Sequence, residues 1–299
     1  MIRARGRKRG LLAAGLVLVL VAVGAYVWRS RDGGTSGDGG PVAAVRAASA
    51  VATAYYTLDH RRISADIDRT LSFATGKFAR EYGEQRATVV TRTTRRKLVV
   101  VARVPTGGAA LERFSPDEAQ VLVAVDFQSR AGTGPVQGGE SRLRITLNPV
   151  GKVWKASAFD EVVTGAGAGS YVPTDLPAAD LAVARAAAAA VGPAFAYDYT
   201  DLGAGLAKAV GLMTPSFGAG FRATFEKTVR PSATTKKAVV AAYVRGVAVV
   251  SRTADRARTL VFLDQVANPS TTADASQSRL FVDLEQVGGR WLVSGLTPF

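Results

Sequence analysis

Apolar and polar positions follow three different patterns along this chain, and the order in which the patterns change predicts its architecture. From Leu11 to Trp28 there are 18 residues without a charge. As a helix rising about 1.5 Å per residue this run covers about 27 Å, close to the hydrocarbon thickness of a bilayer. The spacing then becomes amphipathic. Val42, Val45, Ser49, Ala52 and Tyr56 recur at three- and four-residue intervals and predict a helix over 42–56. Ile63 to Phe73 and Thr75 to Val90 predict two more. Leu181 to Tyr199, Leu202 to Leu212 and Thr214 to Val229 repeat the series, with Pro193 predicting a kink or restart. Thr75 and Thr214 are candidate N-caps, and Pro215 occupies the favoured first helical position.

After each helical series the pattern turns strand-like. Leu98–Val104, Gln120–Gln128, Arg142–Asn148 and Val153–Phe159 are β-branched runs, answered by Ala238–Val250, Thr259–Val266, Arg279–Glu285 and Trp291–Leu296. Val150-Gly151-Lys152 and Val287-Gly288-Gly289 read as hairpin turns. Arg142, Arg144 and Thr146 alternate with Leu143, Ile145 and Leu147, which predicts a sheet with one polar face and one buried face. Helices followed by antiparallel strands give an α+β class.

The two series are copies of each other. A shift of 139 positions aligns 46–102 with 185–241 without a gap: Arg46 falls on Arg185, Asp59 on Asp198, Thr75 on Thr214, Phe78 on Phe217 and Lys97 on Lys236. A shift of 137 aligns Arg142, Leu147, Gly151, Trp154 and Ser157 with Arg279, Leu284, Gly288, Trp291 and Ser294. A tandem duplication follows, with a first domain over 42–164 and a second over 175–299. Gly-rich stretches at 29–41 and 165–174 read as linkers.

Charge places the chain at a membrane. Lys and Arg number 38 against 24 Asp and Glu, a net of +14 that at first suggests nucleic acid. Arg3, Arg5, Arg7, Lys8 and Arg9 precede the apolar run and Arg29 and Arg31 follow it, so half of that excess flanks one candidate span. This predicts a cytoplasmic segment over 1–10, an uncleaved signal-anchor over 11–28 that partners the lipid bilayer, and the remainder on the envelope side. A cleaved signal peptide is disfavoured by the length of the run and by bulky Tyr26 and Trp28 at its end. The first domain has 18 cations and 12 anions, the second 13 and 10, so an anionic partner is expected at the first. No nucleic-acid partner is expected, because no aromatic interleaving accompanies the basic residues. Absent cysteines and a single histidine, His60, exclude disulfide scaffolds, iron–sulfur sites and multi-histidine metal sites. No cofactor or metal is expected.

The order of elements resembles the nuclear transport factor 2-like cone fold. Tyr197-Asp198-Tyr199, the helical Thr-x-x-Phe of Thr75–Phe78 and Thr214–Phe217, and Gly288–Ser294 (Gly-x-Arg-Trp-Leu-Val-Ser) resemble the actinobacterial Mce-associated membrane proteins. The resemblance implies one membrane span followed by cone-fold domains, each with about three helices on a curved antiparallel sheet. It also implies an accessory, non-catalytic scaffold in a lipid- or sterol-import complex of the cell envelope. The chain departs from the pattern in having two such domains, and its first copy reads Leu58-Asp59-His60 and Gly151-Lys152-Val153-Trp154. Tandem cone domains behind one span also occur in membrane proteins of Gram-positive conjugation machines, so a conjugation or secretion component is the alternative setting.

Cone-fold enzymes use Asp, His or Tyr in a pocket between helices and sheet. The residues that would line such pockets are Tyr56, Asp59 and Phe78 in the first copy and Phe195, Asp198 and Phe217 in the second. A small apolar ligand would be the substrate or cargo. The simpler role for Asp59 and Asp198 is to cap the backbone where the first helix ends. No catalytic residue is assigned. Trp154 and Trp291 are expected in the core at equivalent sheet positions. Arg92, Arg95, Arg96 and Lys97 form the densest exported cationic cluster, a candidate patch for an anionic headgroup or an acidic membrane-complex partner.

Overall fold

The computed structural model describes residues 40–162, 170, 171, 173–267 and 274–299. The expected cytoplasmic segment 1–10, the span 11–28, nearly all of the first linker and much of the second lie outside the described residues. The first half runs α1 (Pro41–Tyr56), β1 (Leu58–Asp59), α2 (Ile63–Ser72), α3 (Gly76–Glu84), α4 (Arg86–Arg95), β2 (Leu98–Arg103), β3 (Ala109–Phe114), β4 (Ala119–Ala131), β5 (Gln137–Val150) and β6 (Val153–Glu161). The second runs α5 (Ala178–Phe195), β7 (Tyr197–Asp198), α6 (Leu202–Val210), α7 (Pro215–Thr224), a π-helical turn (Phe225–Val229), α8 (Arg230–Lys236), β8 (Val239–Arg252), β9 (Arg256–Ala267), β10 (Asp274–Val287) and β11 (Arg290–Pro298). The chain is mixed α+β with one large antiparallel sheet.

In each half the helices lie on one sheet face. α1 packs on β2, β4 and β6, and α5 on β8, β9 and β11. Ala44, Ala48 and Val51 of α1 share a core with Val121, Val123, Leu143 and Ile145. Val183, Ala187 and Val191 of α5 share a second with Val261, Leu263, Leu280 and Leu284. By length and composition α5 could cross a membrane, but here it is the central helix of that second core.

Backbone detail recurs between the halves. Thr75 N–H donates to the Ala156 carbonyl and Ala156 N–H to that of Phe73; Thr214, Val293 and Leu212 make the same pair of bonds. Both final hairpins change register at one equivalent place, Thr146/Leu147 and Asp283/Leu284.

Several sequence expectations need correction. The helix expected over 75–90 is two helices, broken at Gln85, and α4 continues to Arg95. The helix expected over 181–199 ends at Phe195, two residues past Pro193, and Tyr197–Asp198 is a short strand on β8. β3 has no counterpart among the expected strands. The gapless 139 shift also slips: Lys97 matches Lys237, since both end a helix with positive φ (47° and 46°). Val99 then matches Val239, because each pairs with the aspartate of the preceding short strand. The second half holds one extra residue between its matching Thr and Lys, and the π-helical turn absorbs it. A π-turn is an α-helix with one residue inserted, so the flanking turns keep their faces. Thr214 caps α7 by accepting from Phe217 N–H, whereas the Thr75 side chain makes no capping bond.

β2 and β3 lie end to end along one edge of β4, where the second half has the single long strand β8. β3 then pairs with β8 through Leu111 and Val249. Those two residues are themselves equivalents, since each lies one place beyond a matched Ala–Leu pair, Ala110–Leu122 and Ala248–Leu260. The halves therefore meet about a local pseudo-two-fold axis through this pair, as in an isologous dimer.

Candidate functional site

Aromatic rings pack between helices and sheet in the first half. Tyr55 lies 4.4 Å from Phe159 between centroids, Phe78 stacks on Phe159 at 5.1 Å, and Tyr56 stacks on Phe127 at 5.4 Å. The Tyr56 hydroxyl and Ser141 Oγ are hydrogen-bonded at 2.7 Å, and Ser141 Oγ donates to Glu161 at 3.1 Å. Burial pushes the Tyr56 phenol up to about 12, so it stays protonated. In the second half Phe195 is buried in the core and Phe217 packs against it.

The structure does not bring Asp59 and Asp198 into a pocket with these rings. Asp59 accepts from Arg61 N–H at 3.0 Å and from Arg61 Nε at 2.9 Å, while its own N–H donates to Asp66 at 2.8 Å. Asp198 is exposed and accepts from Thr200 N–H and Oγ1 at 2.8 and 2.7 Å. The Arg61 hydrogen bonds hold the Asp59 carboxyl well below the usual carboxylate range, and those from Thr200 lower Asp198. Both are turn-forming carboxylates kept ionised, the reverse of a base poised by burial.

Arg92, Arg95, Arg96 and Lys97 end α4 and lead into β2, and all four residues are exposed. Nearby Arg86 and Arg103 pair with Asp68 and Asp126, but among the described residues this quartet shows no ion pair. Its position at a helix C-terminus favours cations without any partner. Trp154 is buried, and Trp291 packs partly buried against the second core.

The most highly organised polar cluster is one that the sequence does not single out as a site. The alternating Arg face of β5 is polar but not solvated, because it meets the other half of the protein. Arg142 donates to the Leu263 carbonyl at 3.0 Å and pairs with Asp264 at 2.6 Å. Reciprocally, Arg279 donates to the Val125 carbonyl at 3.4 Å and pairs with Asp126 at 2.8 Å. Arg245 also reaches Asp264 at 2.7 Å, and Arg144 holds the fully buried Glu112 at 2.8 Å. Between these pairs Ala110, Leu122 and Ala124 pack on Ala248, Leu260 and Phe262 in a third core. Each fully buried Leu or Phe there is worth about 1.5–3 kcal/mol. Gly246 allows the approach, since a Cβ on it would lie 2.7 Å from a Leu122 methyl carbon. The signal is present in the sequence, as Arg142 and Arg279 are one matched pair of the repeat.

The two ends of this junction differ. Asp264 is wholly enclosed, whereas Asp126 is 26% exposed. Beside Asp126 a cleft of about 730 Å³ opens along Val101–Arg103, and a second of about 630 Å³ lies between that strand and α1 and α2. Among the described residues no cluster of His, Cys, Asp or Glu could hold a metal.

No known protein family matches the chain, and no curated protein does. Among solved structures, it is similar to the periplasmic domain of DotI (13% identity, TM-score 0.35, 41% of this chain and 94% of that one). An IcmL-like type IV secretion system protein from Legionella pneumophila is matched at 12% identity and TM-score 0.34, over 41% of this chain and 88% of that one. An NTF2-like protein involved in plasmid conjugation is matched at 11% identity and TM-score 0.28, over 86% of this chain and 95% of that one. Likenesses at these scores say nothing about the chemistry of the site.

Proposed function

We propose that this chain is a non-catalytic scaffold, anchored on the envelope side of a membrane, whose two tandem cone-fold domains act as one body in protein–protein contact. The observation that carries this reading is the junction: reciprocal Arg142–Asp264 and Arg279–Asp126 pairs around a shared apolar core. Such a junction fixes two surfaces at a set distance, which suits a part that holds other proteins in register. Rings packed together in the interior and carboxylates tied into turns also accord with binding by surface rather than by chemistry in a pocket. Motifs such as Gly288–Ser294 favour a lipid- or sterol-import complex, and tandem domains behind one span favour conjugation or secretion. Components of either kind of complex are therefore the ones to look for.

Affinity purification of the full chain from native membranes in mild detergent tests the proposal. Co-purification of conjugation, secretion or import-complex components is the expected result, and which set is recovered decides the setting. Recovery of the chain alone from an intact envelope would contradict the scaffold reading.

A further inference from the structure

The two halves treat the same strand edge differently. On β8, β7 covers the edge at Val239 and Val240, β3 takes it again at Val249, and a piece of the inter-domain linker sits between them. There Tyr171 N–H donates to the Val244 carbonyl at 2.7 Å, and Val244 N–H donates to Ser170 Oγ at 3.2 Å. Arg185 of α5 donates to the Pro173 carbonyl at 3.5 Å, and Arg144 lies over the Tyr171 ring at 5.6 Å. Ser170 and Tyr171 thus add a short pairing segment to the edge, and Pro173 is held beside α5.

In the first half β1 covers the edge at Val99 and Val100, Thr57 Oγ1 accepts from Ala102 N–H, and β8 takes it again at Leu111. The counterpart of Val244 is Val104, and that of Arg185 is Arg46, which is exposed. Here the edge opens on the two clefts instead, and Val101, which lines both, is 63% exposed. A half-covered strand edge with an exposed β-branched residue is a ready template for strand addition.

We propose that the Val101–Val104 edge is a docking site for an extended segment of a partner protein, carrying a hydroxyl residue followed by an aromatic one, seated as Ser170–Tyr171 is seated on β8. Backbone hydrogen bonds supply register, the clefts take alternate side chains, and Arg46 donates to a carbonyl of the bound segment. A partner fits better than the chain's own counterpart of the linker. By the repeat that counterpart is Arg31-Asp32-Gly33-Gly34, which has neither the aromatic ring nor the proline. This deepens the scaffold reading by naming its contact surface. That reading rests on the junction, so it survives if this edge proves inert.

The probe is a labelled synthetic peptide, Ser-Tyr-Val-Pro-Thr-Asp-Leu, titrated by fluorescence anisotropy into the purified full chain in detergent. Saturable binding of one peptide per chain is expected, absent for a scrambled peptide. Val101→Arg on the exposed edge and Ala50→Trp in the cleft should each weaken it at least tenfold without lowering the unfolding temperature; if one fails to fold, the other decides. Absence of saturable binding, or binding that neither substitution weakens, would overturn the proposal. A photo-crosslinker at Val101 in cells should join a second polypeptide at a hydroxyl–aromatic segment, identified by mass spectrometry. A crosslink to residues 29–39 of the same chain, or no crosslinked product, would also overturn it.

Discussion

Asp264 has no exposed surface and lies between two guanidinium groups, Arg142 at 2.6 Å and Arg245 at 2.7 Å. Removing the acid leaves two buried cations facing each other, which is far worse than losing one attractive contact. Asp264→Ala should therefore destabilise the protein by about 3–5 kcal/mol, read by denaturant unfolding. The matched change Asp126→Ala should cost clearly less, because Asp126 is partly hydrated. Equal costs would mean that enclosure does not set the strength of these pairs. At this scale the sequence is half legible. It marks Arg142 and Arg279 as a matched pair and places them on the polar side of a strand. An alternating pattern does not distinguish water from a second set of strands bearing carboxylates, so the partners Asp264 and Asp126, each more than a hundred residues away in the chain, are out of its reach. Asp59 and Asp198, by contrast, are short-range turn residues, and their position alone points to a capping role.

Helices and strands are legible where a pattern is long. α1, α2 and α6, and strands β4, β6, β8, β9 and β11, fall close to their expected ranges, whereas β5 and β10 each run 14 residues and extend five residues before their expected starts at Arg142 and Arg279. β3 is hidden because Ala109–Phe114 is short and carries Glu112 and Arg113 in mid-strand; in the fold its backbone pairs with β4, and Glu112 is buried in an ion pair with Arg144. The one-residue slip is hidden because the matched Lys lies in Lys236–Lys237, where either residue aligns. Such a slip matters, since moving a strand by one residue exchanges its faces. The π-helical turn prevents this, and its role is testable. Deleting Lys227, which is exposed within the turn, should restore an ordinary α-helix and leave the unfolding temperature close to that of the parent. Deleting exposed Arg92 from α4, which has no residue to spare, should rotate buried Val89 or Thr93 out of place and sharply lower it. Circular dichroism melts of the two deletions distinguish the cases, and equal damage from both would refute this role of the turn.

For the molecule as a whole, two halves of like order are joined through the contact an isologous dimer would use. Arg142 meets Asp264 as Arg279 meets Asp126, and Leu111 meets its own counterpart Val249. The repeat is legible in the sequence, but its linkers suggest two separate domains. The third core and the ion pairs instead make the halves one body, and that rigidity is the central claim behind the scaffold reading. The absence of native cysteine makes it directly measurable. With Lys77→Cys on α3 and Lys208→Cys on α6 spin-labelled in the full chain, pulsed electron–electron distance measurement should give one narrow distribution, unchanged between detergent and lipid. A broad or multi-peaked distribution would show two domains moving independently and would contradict the account.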